Sequence, residues 1–186
     1  DVYKRQTLIG RDAIAVIEGE YGAIDFDIDT TGESEGGEAA ILAGSADLAG
    51  VAQLPRAETL ASGVNATLIG RDAIAVIVNE RNPIRDLSKE QLRALFSGEV
   101  SDWSELGAFD ASVEVFTASL GSATREVFRS ALLGSADYGD VRVAERDADI
   151  VASVARTDGG IGHLSFSFLD EASGVEREVW VNDAFA

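Results

Sequence analysis

Two segments of this 186-residue chain place small hydroxyl side chains and glycines just before a predicted helix. The first covers residues 30–37 and precedes a helix expected to begin near Glu38. The second covers residues 121–124 and opens a helix predicted to reach Leu133. Hydroxyls and free backbone N–H groups at a helix N-terminus can bind a tetrahedral oxyanion. The same residue types are also common as ordinary N-caps, so each segment alone is a weak indication of a binding site.

Residues for other kinds of site are missing from the sequence. The chain has no Cys and a single His, His163, which excludes a thiolate nucleophile and a zinc site and indicates a structural role for His163. The acidic clusters at residues 33–38 and 137–140 lack the spacing of a calcium-binding loop. There is no Gly-x-Ser-x-Gly elbow, no Walker loop and no convincing nucleophile–base pair. We therefore expect a protein that is not an enzyme and that binds no metal and no cofactor.

The composition is strongly acidic, with 33 Asp and Glu against 15 Lys and Arg and a formal net charge of −18. A nucleic-acid-binding protein would carry a basic stripe, and an anionic membrane surface would repel this charge. No apolar run approaches the ~18 residues that span a bilayer. An acidic protein can still bind an anion through helix N-termini and neutral donors. The charge therefore excludes nucleic acid as a partner and remains compatible with an anionic ligand.

An eleven-residue peptide occurs twice without change, at residues 7–17 and 67–77. Its flanks differ, since Glu18 follows the first copy and Val78 follows the second. A repeat architecture needs several related units that stack, so one copied peptide does not predict a solenoid. We instead expect a duplicated or chimeric N-terminus, in which residues 1–6 look like foreign lead sequence, and we find no signal peptide pattern in the chain.

Strand and helix patterns alternate along the rest of the chain, which predicts an α/β fold with a largely parallel sheet. The clearest helix follows Ser88, which forms a capping box with Gln91, and Gly98 ends it. The last helix is expected to be capped by Asp147 or Asp149. The expected strands are residues 24–29, 47–51, 69–78, 113–117 and 161–168, and the expected helices are residues 38–42, 88–96, 122–133 and 147–155.

The most specific pattern lies in residues 72–107. It contains, in order, an apolar strand, Asn-Pro, Leu-Ser-x-x-Gln-Leu, Phe-Ser-Gly and Trp103. This order and spacing resemble the signature stretch of the phosphate-type substrate-binding proteins of ABC transporters, which have the type 2 periplasmic-binding-protein-like fold. Residues 122–128 resemble the Ser-Gly-Thr-Arg-Glu-x-Phe phosphate loop of that family, and residues 160–163 resemble its Ile-Gly-Tyr return strand.

The resemblance extends upstream and covers roughly residues 20–170. It implies a two-lobed fold with mainly parallel sheets and a hinge that the chain crosses twice. Lobe 1 would then consist of residues 1–77 plus 160–186, and lobe 2 of residues 78–159. It further implies a monomeric protein outside the cytoplasmic membrane, periplasmic or anchored to the cell surface, with an altered or truncated N-terminus. Its partner would be the permease of an ABC transporter.

The resemblance also implies the ligand, which is inorganic phosphate or a similar oxyanion held by donors from both lobes. Asp47 would accept the proton that monohydrogen phosphate carries and that fully ionised sulfate lacks. The lobes would close on the ligand by a hinge motion. The implied ligand-binding residues are Thr30, Thr31, Gly32, Ser34, Asp47, Ser122, Ala123 and Thr124.

The sequence departs from the family pattern at several donor positions. The Arg that usually precedes the phosphate loop is Ala118 or Ser119 here. The glycine of that loop is Ala123, and an Arg that often follows the Asp-Ile-Ala strand is Gln53. A charge-assisted hydrogen bond contributes about 1.5–3 kcal/mol, so a lost Arg would weaken binding ~10- to 100-fold. A second hypothesis therefore stays open: a degenerate binding-protein-like domain with a sensory or protein-interaction role and no phosphate binding.

Overall fold

The computed structural model describes residues 27, 29, 33–171 and 180–182 of the chain. Helices and strands alternate along most of these residues. The helices are α1 (Ser34–Leu42), α2 (Ala57–Ala61), α3 (Lys89–Ser97), α4 (Ala123–Phe128) and α5 (Asp147–Arg156). The strands are β1 (Ile74–Val78), β2 (Asp86–Ser88), β3 (Glu114–Thr117), β4 (Val141–Val143), β5 (Gly160–Ser165) and β6 (Trp180–Asn182). A π-helical turn, Arg129–Leu133, extends α4, and the two 3₁₀ segments are Trp103–Leu106 and Phe166–Glu171.

The central sheet has four strands in the order β1-β5-β3-β4. Strand β3 runs parallel to both β4 and β5, and β1 runs antiparallel to β5. Strands β2 and β6 form a separate parallel pair. Three of these four pairings are parallel, which confirms the predicted α/β class with mainly parallel strands. The predicted lobe boundaries at residues 77 and 160 fall in β1 and β5, which are neighbouring strands.

Both faces of the sheet are covered, which explains why its strands are apolar on both sides. Along β1, Val76 and Val78 pack with α3, α4 and Trp103 on one face. The intervening Ile77 packs with α5 on the other face. Gly162 of β5 lies under α5, because a Cβ there would meet Ile150 Cγ2 at 2.7 Å. A larger residue at this position would push α5 away from the sheet.

Local signals in the sequence set the ends of α3, as predicted. The Ser88 side chain accepts a hydrogen bond from Gln91 N at 3.1 Å, and Gln91 Oε1 accepts one from Ser88 N at 2.8 Å. This pair confirms the capping box. Gly98 ends the helix with φ of 79°, a left-handed conformation that favours glycine.

A buried carboxylate joins α1 to the segment that carries α2. Glu38 Oε1 accepts hydrogen bonds from the Thr59 hydroxyl and from Arg56 N, the latter at 2.8 Å. The bond from Thr59 holds the pKa of Glu38 below its ordinary value even though the residue is buried. Glu38 therefore has a structural role in fixing the position of α1.

Several predicted boundaries were wrong. Helix α1 begins at Ser34 rather than Glu38, so part of the predicted glycine-rich loop is helical. Residues 47–51 do not form a strand among the described residues; most of them are exposed, and no neighbouring strand satisfies their backbone. Strand β1 begins at Ile74 rather than at residue 69, because Ile69 is 93% exposed.

Two further corrections concern the C-terminal half. Strand β5 ends at Ser165, and the residues predicted to continue it form a 3₁₀ segment. The N-cap of α5 is Arg146, which makes no side-chain capping bond, so neither predicted Asp caps that helix. Asp149 instead accepts hydrogen bonds from the Arg146 guanidinium at 2.7 and 2.8 Å. The predicted strand at residues 24–29 lies outside the described residues except for Asp27 and Asp29, which are not in a strand.

The predicted helix from Ser122 to Leu133 is confirmed as α4 with its π-helical extension, and it ends before Gly134. The strand predicted at 113–117 is confirmed as β3 with one residue fewer. Within the described ranges, none of the helices combines the length and the apolar composition needed to cross a lipid bilayer.

Candidate ligand-binding site

The turn between β3 and α4 carries the second predicted donor segment. Ser122 is the N-cap of α4, and its Oγ accepts a hydrogen bond from Arg125 N at 3.4 Å. Ser122 N donates to Ser119 O at 3.2 Å, which closes the turn at residues 119–122. Ala123 is buried and Thr124 is half-buried. The N–H groups of the first helical turn have no partner within the helix, so this end of α4 can donate to a ligand.

The first predicted donor segment lies beside this turn. Glu33, which directly precedes α1, extends its carboxylate to Ser119, whose Oγ donates to Glu33 Oε1 at 2.8 Å. The carboxylate also packs against the backbone of Gly121, where an added Cβ would meet Glu33 Oε2 at 2.9 Å. The structure therefore brings together the N-terminus of α1 and the turn before α4, two segments 86 residues apart at the contact.

The remaining predicted donors differ in what the structure shows of them. Ser34 is half-buried, and its Oγ accepts a hydrogen bond from Ala52 N at 3.1 Å. Asp47, predicted to accept a proton from the ligand, is exposed. Thr30, Thr31 and Gly32 lie outside the described residues. The contact shown between the two predicted segments is therefore that of Glu33, the neighbour of Ser34, with the turn that precedes Ser122.

The carboxylate of Asp147 lies close enough to those of Glu33 and Asp72 to be affected by their negative charges. Burial raises the pKa of Asp147 to about 6, and the negative charges of Glu33 and Asp72 add to the shift. Asp72 precedes β1 and accepts a hydrogen bond from the Ser165 hydroxyl at the end of β5. We call Glu33, Asp72 and Asp147 the carboxylate cluster. Its charge opposes a bound anion. No local sequence pattern predicts that these three residues lie near one another.

The raised pKa of Asp147 leads to a prediction about stability. The pKa of Asp147 is higher in the folded chain than in the unfolded chain, so its ionisation costs folding free energy as the pH rises through about 6. We expect Asp147→Asn to raise the free energy of unfolding by about 1–2 kcal/mol near pH 7.5, after allowance for partial exposure. The gain should vanish below about pH 4. Urea denaturation at the two pH values measures this difference.

The matched control is Asp149→Asn in the same turn of α5. Arg146 holds the pKa of Asp149 below its ordinary value, so the loss of this carboxylate should lower stability near pH 7.5. A less stable Asp147→Asn protein at that pH would contradict the prediction.

A positive charge reaches the turn from a residue that sequence reasoning did not select. Arg125 Nη1 donates to Ala118 O at 2.8 Å, and the guanidinium lies 4.8 Å from the ring centroid of Tyr138. The Arg that usually precedes the phosphate loop in the resembled family corresponds to Ala118 or Ser119 in this chain. Arg125 was visible in the Ser-Ala-Thr-Arg pattern, but its reach back to residue 118 depends on the turn geometry.

His163, the only histidine, lies in the core behind the turn. Its ring stacks on Phe128 with centroids 4.0 Å apart, and Nε2 lies 2.9 Å from the Tyr138 hydroxyl. These contacts agree with the structural role expected for it. Among residues 33–171, no group of three His, Cys, Asp or Glu side chains is arranged to hold a metal ion.

The sequence profile of the PBP superfamily domain matches residues 5–182. The chain belongs to the PBP superfamily. It is 27% identical over 146 residues to the phosphate-binding protein PstS of Bacillus subtilis, an alignment covering 76% of this chain and 46% of that protein. It is 42% identical over 84 residues to PstS 2 of Streptococcus agalactiae, which covers 45% of this chain and 28% of the relative. The chain thus spans less than half the length of these curated relatives.

Solved structures confirm the fold class. An ABC-type phosphate transport receptor from Vibrio cholerae aligns with a TM-score of 0.75 at 19% identity, over 95% of this chain and 73% of that one. A proposed phosphate ABC transporter substrate-binding protein from Clostridium perfringens, with bound phosphate, aligns with a TM-score of 0.74 at 23% identity. That alignment covers 90% of this chain and 68% of the other. The two-lobed periplasmic-binding-protein-like fold predicted from the sequence is therefore confirmed.

Proposed function

We propose that this chain is a solute-binding protein that captures phosphate or a similar oxyanion between two lobes for an ABC transporter. The observation that carries the proposal is the hydrogen bond from Ser119 to Glu33, because it holds the start of α1 against the turn that precedes Ser122. The names of the PstS relatives support the choice of ligand. In this role the protein acts outside the cytoplasmic membrane as a monomer. It passes the ligand to a permease, catalyses no reaction and binds no nucleic acid.

The proposed donors come from both lobes. The Ser122 hydroxyl, the Ala123 N–H and Thr124 would bind from lobe 2, residues 78–159. Thr30, Thr31, Gly32 and Ser34 would bind from lobe 1, residues 1–77 plus 160–186. Hydroxyl and backbone donors suit this acidic chain because they bind an anion without lysine. Hinge closure would bring the two sets of donors onto one ligand.

The second candidate is a degenerate domain with a sensory or protein-interaction role. The carboxylate cluster favours it, because negative charge beside the turn opposes a bound anion. The residues Ala118 and Gln53, where the resembled family often has Arg, favour it as well.

Calorimetric titration with phosphate, with sulfate and molybdate as controls, tests the proposal at low and high salt. We expect saturable one-to-one phosphate binding with a Kd in the micromolar range or below. Thr124→Ala and Ser122→Ala should each raise the Kd roughly tenfold, because each removes a hydrogen bond to a charged ligand. Ser130→Ala is the matched control, because Ser130 is an exposed hydroxyl beyond α4 and should leave the Kd unchanged.

The absence of heat with every anion, from protein shown to be folded by circular dichroism, would overturn phosphate binding and favour the degenerate domain. Binding that Thr124→Ala and Ser130→Ala weaken equally would show that the ligand lies elsewhere.

A further inference from the structure

Glu33 lies at the start of α1 and reaches the turn before α4. Its sequence neighbours, Gly32 and Ser34, belong to the lobe 1 set. Its carboxylate contacts Ser119 and the backbone of Gly121, in the turn that leads to the lobe 2 set. Glu33 is therefore the acidic residue that, in the described structure, connects the start of α1 with the turn before α4.

The Glu33 carboxylate resembles the proposed phosphate ligand in its charge and in its hydrogen-bond acceptors. It carries negative charge on oxygens that accept hydrogen bonds from hydroxyl and amide donors, as phosphate does. Glu33 Oε1 already accepts a hydrogen bond from the Ser119 hydroxyl at 2.8 Å. Gly121 permits the approach, because a Cβ at that position would meet Glu33 Oε2 at 2.9 Å. An oxyanion at this turn must therefore either displace the Glu33 side chain or bind directly beside its charge.

We propose that Glu33 is a built-in competitor for the oxyanion site and sets its affinity. The inference rests on the proposed function of the same site. When Glu33 contacts Ser119, it occupies the turn and repels a second anion, and when it swings away, the turn is free for the ligand. Asp72 and Asp147 add negative charge that repels Glu33 as well as the ligand, so the Ser119 bond helps to hold Glu33 in place.

The test compares phosphate binding by the wild type, Glu33→Gln and Glu35→Gln. Glutamine has nearly the shape of glutamate and no charge, so Glu33→Gln removes the repulsion while leaving the backbone of α1 intact. We expect Glu33→Gln to bind phosphate at least tenfold more tightly than the wild type. A tenfold change in Kd corresponds to about 1.4 kcal/mol of binding free energy. Glu35→Gln removes the same charge from an exposed position in the same helical turn and should leave the Kd within about twofold.

A second measurement checks the contact without phosphate. The backbone amide signals of Ser119 and Gly121 in nuclear magnetic resonance spectra of the phosphate-free protein should differ between Glu33→Gln and the wild type, because the charge next to them is lost. The same signals in Glu35→Gln should match those of the wild type. Phosphate added to the wild type should also move these signals, because the ligand displaces the carboxylate.

Each result decides the matter. Tighter binding by Glu33→Gln alone, with the Ser119 and Gly121 amide signals moved in that variant alone, supports the competitor. Phosphate binding that is equal in the wild type and in both variants overturns it and leaves the proposed function intact. Amide signals that do not respond to Glu33 overturn it too, because the contact is then absent in solution. No phosphate binding by any of the three proteins overturns the proposed function and the competition together, whatever the amide signals show.

Discussion

Acidification from about pH 7 to about pH 5 is expected to destabilise the wild type more than a His163→Phe variant. His163 is fully buried on β5, where its Nε2 lies 3.2 Å from Thr117 Oγ1 and 2.9 Å from the Tyr138 hydroxyl. Burial lowers the pKa of His163 to about 3, and the positive charge of Arg125 adds to the shift. Folding therefore requires the neutral imidazole.

The sign of the pH dependence follows from this low pKa. The unfolded chain takes up the His163 proton near pH 6.5, whereas the folded chain resists it down to about pH 3. The stabilisation is fully present above about pH 6.5 and is lost as the pH falls, by up to roughly 1.4 kcal/mol per pH unit. Between pH 6.5 and 5 the wild type should lose about 2 kcal/mol from this group.

Urea denaturation at about pH 7.5, 6 and 5 measures the effect in both proteins. Phenylalanine is suitable because it can stack on Phe128, although Thr117 loses a hydrogen-bond partner. Asp147 has a raised pKa and contributes the opposite slope between about pH 4 and 6. It contributes equally to both proteins, so the difference between them isolates His163. Parallel stability curves across this range would contradict a depressed pKa at His163.

The surroundings of His163 show what a sequence can and cannot predict. A lone His without Cys already indicated a structural residue. Its ring partners Phe96, Phe128 and Tyr138 come from separate elements, and only the packing of α3 and α4 on β5 brings them together. No local pattern in the sequence encodes that packing.

Elements with strong local signals were predicted well, and elements that need distant partners were not. The capping box at Ser88 and the left-handed Gly98 fix α3 from within a dozen residues. Residues 47–51 were predicted to form a short strand, but a strand also needs a neighbour for its backbone, which only the tertiary fold can supply. The predicted cap of α5 failed for a similar reason, since Asp149 pairs with the Arg146 side chain rather than with a backbone N–H.

The pattern in residues 72–107, on which the family resemblance mainly rests, belongs to the scaffold rather than to the ligand site. Asn79 Nδ2 donates to Val154 O and Ala155 O, each at 3.0 Å, and so ties the end of β1 to the last turn of α5. Asn82 Oδ1 accepts a hydrogen bond from Ile84 N at 3.0 Å, which shapes the turn before β2. Such residues report the fold, so the sequence predicted the fold more firmly than the ligand. The contact of Glu33 with Ser119 joins residues 86 positions apart and depends on the tertiary fold.

Trp103→Ala is expected to lower the free energy of unfolding by about 3–5 kcal/mol. Trp103 is the largest fully buried side chain among the residues that the structure describes, and its Nε1 donates to Gly159 O at 3.0 Å. The substitution removes this bond and leaves a cavity that the rigid sheet and α3 cannot fill. Urea denaturation measures the loss. Leu120→Ala is the matched surface control, since Leu120 is 84% exposed and should change stability by no more than about 0.5 kcal/mol.

Trp103→Phe separates the scaffold from the site. It keeps an aromatic ring in the core but loses the bond to Gly159, so stability should fall by about 1–3 kcal/mol. The phosphate Kd of the folded protein should not change, because Trp103 packs in the core and none of its hydrogen bonds reaches the turn at residues 119–122. Thr124→Ala should do the reverse and weaken phosphate binding at nearly unchanged stability. If Trp103→Phe weakened binding as much as Thr124→Ala, the division between a fold-defining motif and a separate ligand turn would be wrong.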